Sequence, residues 1–175
     1  EARIALVHDS VAELFESARP EHMTRLASFE RSDIALHDVF AGDHALLMYT
    51  SGTTGRPKGV VHTQSSLLAG GWTSAIAHKL TPSDRALCVL PICHINGLCV
   101  TVMGALVSGG SVVMAEKFSA SRFWDQIETH RATWFSVVPT IISHLIHSDK
   151  NPDPQTKSRL RFGRSASSAL APDVQ

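Results

Sequence analysis

The stretch that most constrains this 175-residue chain is Tyr49-Thr50-Ser51-Gly52-Thr53-Thr54-Gly55-Arg56-Pro57-Lys58-Gly59. Thr50, Ser51, Thr53 and Thr54 offer hydroxyl donors, and Gly52, Gly55 and Gly59 let the backbone approach an anion closely. Lys58 adds a point charge and Arg56 a second cation. The stretch reads as a loop that cradles phosphate. It is not the Walker pattern, which needs Gly directly before the Lys and Ser or Thr after it; Pro57 and Gly59 hold those places. The flanks narrow the fold. Ala45-Leu46-Leu47-Met48-Tyr49 is a short apolar run and Gly59-Val60-Val61-His62-Thr63 is β-branched, so two strands are predicted, with the loop as an extended hairpin connection. A surface turn rich in Ser, Thr and Gly, with no ligand, is the alternative reading of the same residues.

Downstream of residue 81, predicted strands alternate with predicted helices. Strands are expected at Ala86–Leu90, Ser111–Met114, Thr133–Val138 and Leu160–Phe162. Helices are expected at Leu98–Val107, from Ser119 to about His130, and from Thr140. A further helix, Ser65 to Leu80, follows the hairpin, with Leu67, Leu68, Trp72, Ile76 and Leu80 at helical spacing; its Gly70-Gly71 pair weakens it but permits close packing. The alternation predicts an α/β fold with a mostly parallel sheet flanked by helices. Ligands in such sheets sit beyond the carboxyl ends of the strands. Those ends are Pro91-Ile92-Cys93-His94, Val138-Pro139-Thr140 and Gly163-Arg164-Ser165. Upstream, Ile4–Val7 reads as a buried strand, Ser10 and Glu13 as a capping box for a helix to about Ala18, and residues 24–28 as one short strand. Residues 149–158 read as a polar linker.

The eleven-residue loop closely resembles the signature loop of the adenylate-forming (AMP-binding) superfamily, which includes acyl- and aryl-CoA synthetases, luciferases and peptide-synthetase adenylation domains. Three further segments extend the resemblance. Pro91-Ile92-Cys93-His94-Ile95-Asn96-Gly97-Leu98 is similar to an acyl-CoA synthetase segment beside the acyl pocket. Val137-Val138-Pro139-Thr140 matches a strand-to-helix turn bordering that pocket, although capping alone also selects Pro and Thr at a helix start. Arg164-Ser165-Ala166-Ser167-Ser168-Ala169-Leu170 resembles the family's Ser-Gly-Gly-Ala-Pro-Leu segment, with Ala166 and Ser167 in place of the glycines and Ala169 in place of Pro.

The resemblance implies an ATP-dependent carboxylate–CoA ligase, with ATP, Mg²⁺ and coenzyme A as its cofactor and co-substrates and a small carboxylic acid as substrate. It implies Thr50, Ser51, Gly52, Thr53, Thr54, Gly55 and Lys58 on the ATP phosphates, and Thr53 near Mg²⁺. It implies His94 at the acyl carboxylate, with Lys58 the second catalytic residue. Asn96, Gly97, Pro139 and Thr140 are expected to line the acyl pocket, and Ser167, Ser168 and Ala169 to lie against adenine and the acyl group. Amino-acid adenylation domains carry an Asp in the second segment; Cys93-His94-Ile95-Asn96 has no acid, which favours a plain carboxylic acid. Two alternatives stay open: another adenylating enzyme, luciferase-like or loading a carrier protein, and a nucleotide-binding module without catalysis.

Composition sets outer bounds. Lys plus Arg and Asp plus Glu both number 16, which argues against a basic nucleic-acid surface. Charged residues are 18%, low enough to expect extensive burial or a neighbouring domain. Cys88, Cys93 and Cys99 lie in apolar runs without metal-ligand spacing and read as buried hydrophobes of a reducing compartment. His130, His144 and His147 read as a solvated helix face rather than a metal site. No apolar run reaches transmembrane length and no signal peptide is evident, so a cytoplasmic location is expected. The family's Gly-x-Thr-Glu segment, ribose-binding Asp and C-terminal-domain Lys are not among residues 1–175. The chain is therefore expected to be the central piece of a large AMP-binding N-terminal domain, inactive by itself.

Overall fold

The computed structural model describes residues 4–7, 22–25, 38–50, 56–170 and 172. The chain divides into two units, Glu1–Asp38 and Val39–Gln175. In the first, β1 (Ile4–Val7) and β2 (His22–Arg25) pair in parallel, Ile4 opposite His22 and Val7 opposite Arg25. β1 falls where its apolar run predicts, whereas β2 begins at His22 rather than near residue 24. The capping box at Ser10 lies outside the described residues.

In the second unit, β3 (His44–Thr50) and β4 (Lys58–Thr63) form the expected antiparallel hairpin, with Thr50 opposite Lys58 and Tyr49 opposite Gly59. Thr63 ends the hairpin and caps α1 (Gln64–Ala77), its side chain accepting from the Ser66 amide at 3.2 Å. The helix stops short of the predicted Leu80 because Lys79 takes a left-handed φ of 50°. Its burial also differs from the apolar spacing. Gly71, Ser74 and Ala75 face inward, while Leu68, Trp72 and Ile76 are exposed. Small residues win the inner face because the following helix runs so close. A Cβ at Gly71 would meet the Met103 backbone at 3.1 Å, and Ser74 Oγ donates to the Val100 carbonyl at 3.2 Å.

That following helix is the segment predicted from Leu98. It starts earlier, at Asn96, and runs as a π-helix to Met103 before tightening into α2 (Gly104–Val107). The fully buried Thr101 hydroxyl donates to the Asn96 carbonyl five residues back, at 3.1 Å, which satisfies a group in the wide turn.

Four strands make the central sheet: β5 (Arg85–Cys88), β6 (Ser111–Met114), β7 (Trp134–Val137) and β8 (Phe162–Ser165), in the order β6-β5-β7-β8, all parallel. Helices α3 (Ala120–Thr129) and α4 (Pro139–Ile146) supply the crossovers on either side of β7. Burial on both faces explains the continuous apolar runs. Leu87, Val89, Phe135 and Val137 pack on one face with Phe123, Ile127, Ile141 and Leu145. Ala86 and Trp134 pack on the other with Ala105, Leu80 and Phe162. Ser119 stands at the N-cap of α3 without capping it; its Oγ meets Ser121 Oγ instead, at 3.1 Å.

Two expectations are corrected downstream. The linker 149–158 contains α5 (Pro154–Arg159), capped by Asp153 accepting from Gln155 N and Thr156 N at 2.8 and 3.0 Å. Asp followed by Pro was the overlooked signal, an N-cap before a helix-starting proline. The last strand is Phe162–Ser165, later than predicted. Cys88 and Cys99 are buried as expected, but Cys93 is exposed.

The amino ends of three strands are tied by one buried carboxylate. Asp84 accepts from Thr81 N, Thr81 Oγ1, Thr133 Oγ1 and Arg161 Nη1. Thr133 Oγ1 in turn accepts from Arg85 N at 2.9 Å. Burial pushes the Asp84 carboxyl up, but the bonds from Arg161, Thr81 and Thr133 outweigh it and hold the pKa below the ordinary 3.8. The sign follows: this contribution to stability is complete above the unfolded-state value and is lost as pH falls through the lower folded-state value. Asp84→Ala is expected to cost about 1–3 kcal/mol by orphaning these donors. Urea unfolding at pH 7 and in acid tests this: the variant's deficit should shrink in acid, where wild type loses the same contribution.

Candidate functional site

The strand order reverses between β5 and β7, because the chain leaves β5 toward β6 and then crosses back to β7. Such a reversal opens a crevice beyond the carboxyl ends of the strands. A cavity of about 680 Å³ lies there. Met48, Tyr49, Thr50, Val60 and His62 line it from the hairpin, Leu90, Pro91 and Cys93–Asn96 from the end of β5, Val138 from the end of β7, and Ser167 from beyond β8. Among the described residues, no Asp or Glu is in its lining. An adjoining, mainly apolar cavity of about 540 Å³ shares Leu90, Pro91 and Cys93 and extends toward Met114, Glu116, Lys117 and Phe118.

Of the residues expected at a site, Thr50, His94, Asn96 and Ser167 therefore share one cavity. His94 stands in the turn after β5, its amide donating to the Pro91 carbonyl at 3.1 Å and its side chain exposed. Lys58 is exposed at the mouth of the hairpin; its carbonyl faces Thr50 Oγ1 at 3.5 Å. Gly97, Pro139, Thr140, Ser168 and Ala169 are absent from the cavity lining. Ser51, Gly52, Thr53, Thr54 and Gly55 lie outside the described residues. His62 and Tyr49 join the cavity without having been assigned to it, and Cys93 and Val138 enter it from the segments expected beside the pocket. The alternation of β4 carried the signal for His62, which shares a strand face with Val60.

Gly97 has a different part to play. A Cβ there would sit 2.5 Å from the Pro91 carbonyl oxygen and 3.0 Å from that of Leu90, both backbone atoms that cannot swing aside. The glycine lets the π-helix start against the end of β5, which fixes where His94 and Asn96 stand. Ser167 carries a left-handed φ of 77°. This is one of the positions where the family pattern has glycine, and the conformation gives the reason.

Behind the cavity wall is a polar cluster. Asn96 is 8% exposed, and its Oδ1 accepts from Ser136 Oγ at 2.9 Å and from Arg164 Nη1 at 3.1 Å. Arg164 Nη1 also donates to Ser136 Oγ at 3.0 Å. The parallel register sets Ser136 directly beside Arg164. Asn96 Nδ2 and Ser165 Oγ are buried without hydrogen-bond partners. Among the described residues no group of three or more His, Cys, Asp or Glu side chains converges, and His130, His144 and His147 are exposed as expected. The described residues thus offer no protein cage for a metal.

With this geometry established, the comparisons are specific. A family model described as "AMP-binding enzyme" matches residues 4–175. The chain is 54% identical over 129 residues to sulfoacetate–CoA ligase from Cupriavidus necator, covering 74% of this chain and 25% of that ligase. It is 42% identical over 136 residues to oxalate–CoA ligase from Arabidopsis thaliana, covering 75% and 26%. Its fold superimposes on ATP-bound MatB from Rhodopseudomonas palustris with a TM-score of 0.81 at 27% identity, covering 98% of this chain and 36% of that one. The chain spans about a quarter of the length of the curated relatives it matches.

Two measurements follow. Gly97→Ala should force the β5 end and the π-helix apart, costing about 1–3 kcal/mol as an overpacked contact, read by thermal unfolding. Ser167→Gly should relieve backbone strain and raise stability by up to about 1 kcal/mol; a fall in stability would show that the Ser167 conformation carries no strain.

Proposed function

This chain belongs to the AMP-binding enzyme family, and on that premise we propose that it carries part of the adenylation site of an ATP-dependent carboxylate–CoA ligase. The observation that carries the reading is the single cavity in which the phosphate-loop hairpin meets His94, Asn96, Val138 and Ser167. Four motifs far apart in sequence converge there, at the sheet's switch point. A surface turn that only happened to be rich in Ser, Thr and Gly would have no reason to face the other three.

The reaction has two steps. The carboxylate oxygen attacks the α-phosphorus of ATP, pyrophosphate leaves, and acyl-adenylate forms; the CoA thiol then attacks the acyl carbon and AMP leaves. Lys58 and the hydroxyls and amides of residues 50–55 neutralise and orient the β- and γ-phosphates, lowering the barrier by charge stabilisation and positioning. Mg²⁺ would travel with the ATP phosphates, with Thr53 beside it. His94, at the cavity wall, holds the acyl carboxylate for attack, while Asn96 shapes the acyl end and Gly97, Pro139 and Thr140 set the backbone behind it. Ser167 lies along adenine and the acyl group, with Ser168 and Ala169 continuing its segment outside the cavity lining. Sulfoacetate and oxalate, the acids named for two relatives, each carry a second acidic group, so a short acid of that kind is the substrate we favour. The free thiols of Cys88, Cys93 and Cys99 fit a reducing, cytoplasmic compartment. No described helix is long and apolar enough to cross a membrane. Residues 1–175 hold only part of the catalytic set, so the isolated chain is expected to be inactive.

Acid-dependent ATP–pyrophosphate exchange by the full-length protein tests the assignment. Lys58→Ala should lower kcat for exchange about 100-fold. His94→Ala should act mainly on the acid, raising its KM about tenfold or more. Exchange indifferent to both substitutions would remove the roles given to these residues.

A further inference from the structure

We propose that Arg164 and Ser136 act as positioning residues that lock the Asn96 side-chain amide as a donor at the cavity wall, and that this element makes the site prefer short acids carrying a second oxyanion over simple monocarboxylates. The inference rests on the CoA-ligase reading given above.

The amide orientation is fixed by chemistry. A guanidinium can only donate, so the Asn96 atom facing Arg164 Nη1 at 3.1 Å must be the oxygen. Ser136 Oγ donates to that same oxygen at 2.9 Å while accepting from Arg164, which closes a three-membered ring of bonds. Both donors engage Oδ1, so neither leaves anything for Nδ2. That nitrogen is a buried donor without a partner, on a residue that is itself 8% exposed and lines the cavity. An orphaned buried donor is unfavourable, and an acceptor oxygen brought against Asn96 relieves it.

Charge points the same way. Arg161, just before β8, is paired with the buried Asp84 carboxylate. Arg164, half-buried three residues on, has only neutral partners among the described residues. Its charge is felt at His78, whose pKa is lowered first by burial and then by Arg164. A cation one hydrogen bond behind a wall with no Asp or Glu among its described residues gives the cavity a positive bias. A monocarboxylate spends its one anionic group on the α-phosphorus. A second oxyanion is what remains to meet Asn96 and the field of Arg164.

The test is ATP–pyrophosphate exchange by the full-length protein with sulfoacetate and oxalate against acetate and butyrate. Arg164→Gln is expected to lower the kcat/KM ratio of doubly to singly acidic substrates about tenfold, through KM for the doubly acidic ones. Arg164→Lys should restore part of that ratio, because it keeps the charge but not the fork. Ser136→Ala should lower the ratio less, and it reads the same element if Arg164→Gln does not fold. A ratio unchanged in the folded variants would overturn the proposal, as would a fall in kcat shared by all four acids, which marks a merely structural role. Wild-type exchange without preference for the doubly acidic substrates overturns it too. Wild-type protein that exchanges with none of the acids would instead overturn the ligase reading, and this inference with it.

Discussion

Burial of β5 and β7 on both faces is the constraint from which the rest of the second unit follows. Leu87 and Phe135 face one core, Ala86 and Trp134 the other. Neither strand can expose a polar side chain along its length without facing an apolar layer. Chemistry is thereby pushed to the strand ends, and the two ends are used differently. At the amino ends, Asp84 spends its acceptor capacity on Thr81, Thr133 and Arg161. At the carboxyl ends, Asn96, Ser136 and Arg164 leave a donor unspent, and the cavity opens beside them. Ser136 marks the transition: it is the one polar residue of β7, fully buried, two positions beyond Trp134 on the same strand face.

Close backbone approach is the second organising element. Gly71 admits Met103 of the segment that begins as a π-helix, and Gly97 lets that segment start against the Pro91 carbonyl. Wide turns of this kind are uncommon and tend to occur at functional sites. Here the π-helix begins at Asn96, one residue past the cavity-lining Ile95 and two past His94.

The hairpin, the parallel sheet and a cavity at the strand ends were legible in sequence, because each rests on a local signal: the β-branched run of β4, apolar runs in β5 to β7, prolines at 91 and 139. The cavity membership of His94, Asn96 and Ser167 was legible through motif resemblance. What was not legible depended on contacts between distant segments. The apolar spacing of α1 suggested that Trp72 and Ile76 face the core, yet small residues do, since only they admit a helix packed that closely. α5 was missed because its six residues carry no apolar period, leaving only the cap at Asp153. The roles of Ser136 and Arg164 come from cross-strand register, which no single segment encodes.

The central claim is that the cavity bounded by Thr50, His94, Asn96 and Ser167 holds the acyl-adenylate. The most direct measurement is a crystal structure of the full-length protein with a non-hydrolysable acyl-sulfamoyl adenosine. The account predicts the acyl group inside this cavity, in contact with His94 and Asn96, and the adenosine passing along Ser167. An analogue bound elsewhere, with His94 and Asn96 facing only solvent, would contradict it.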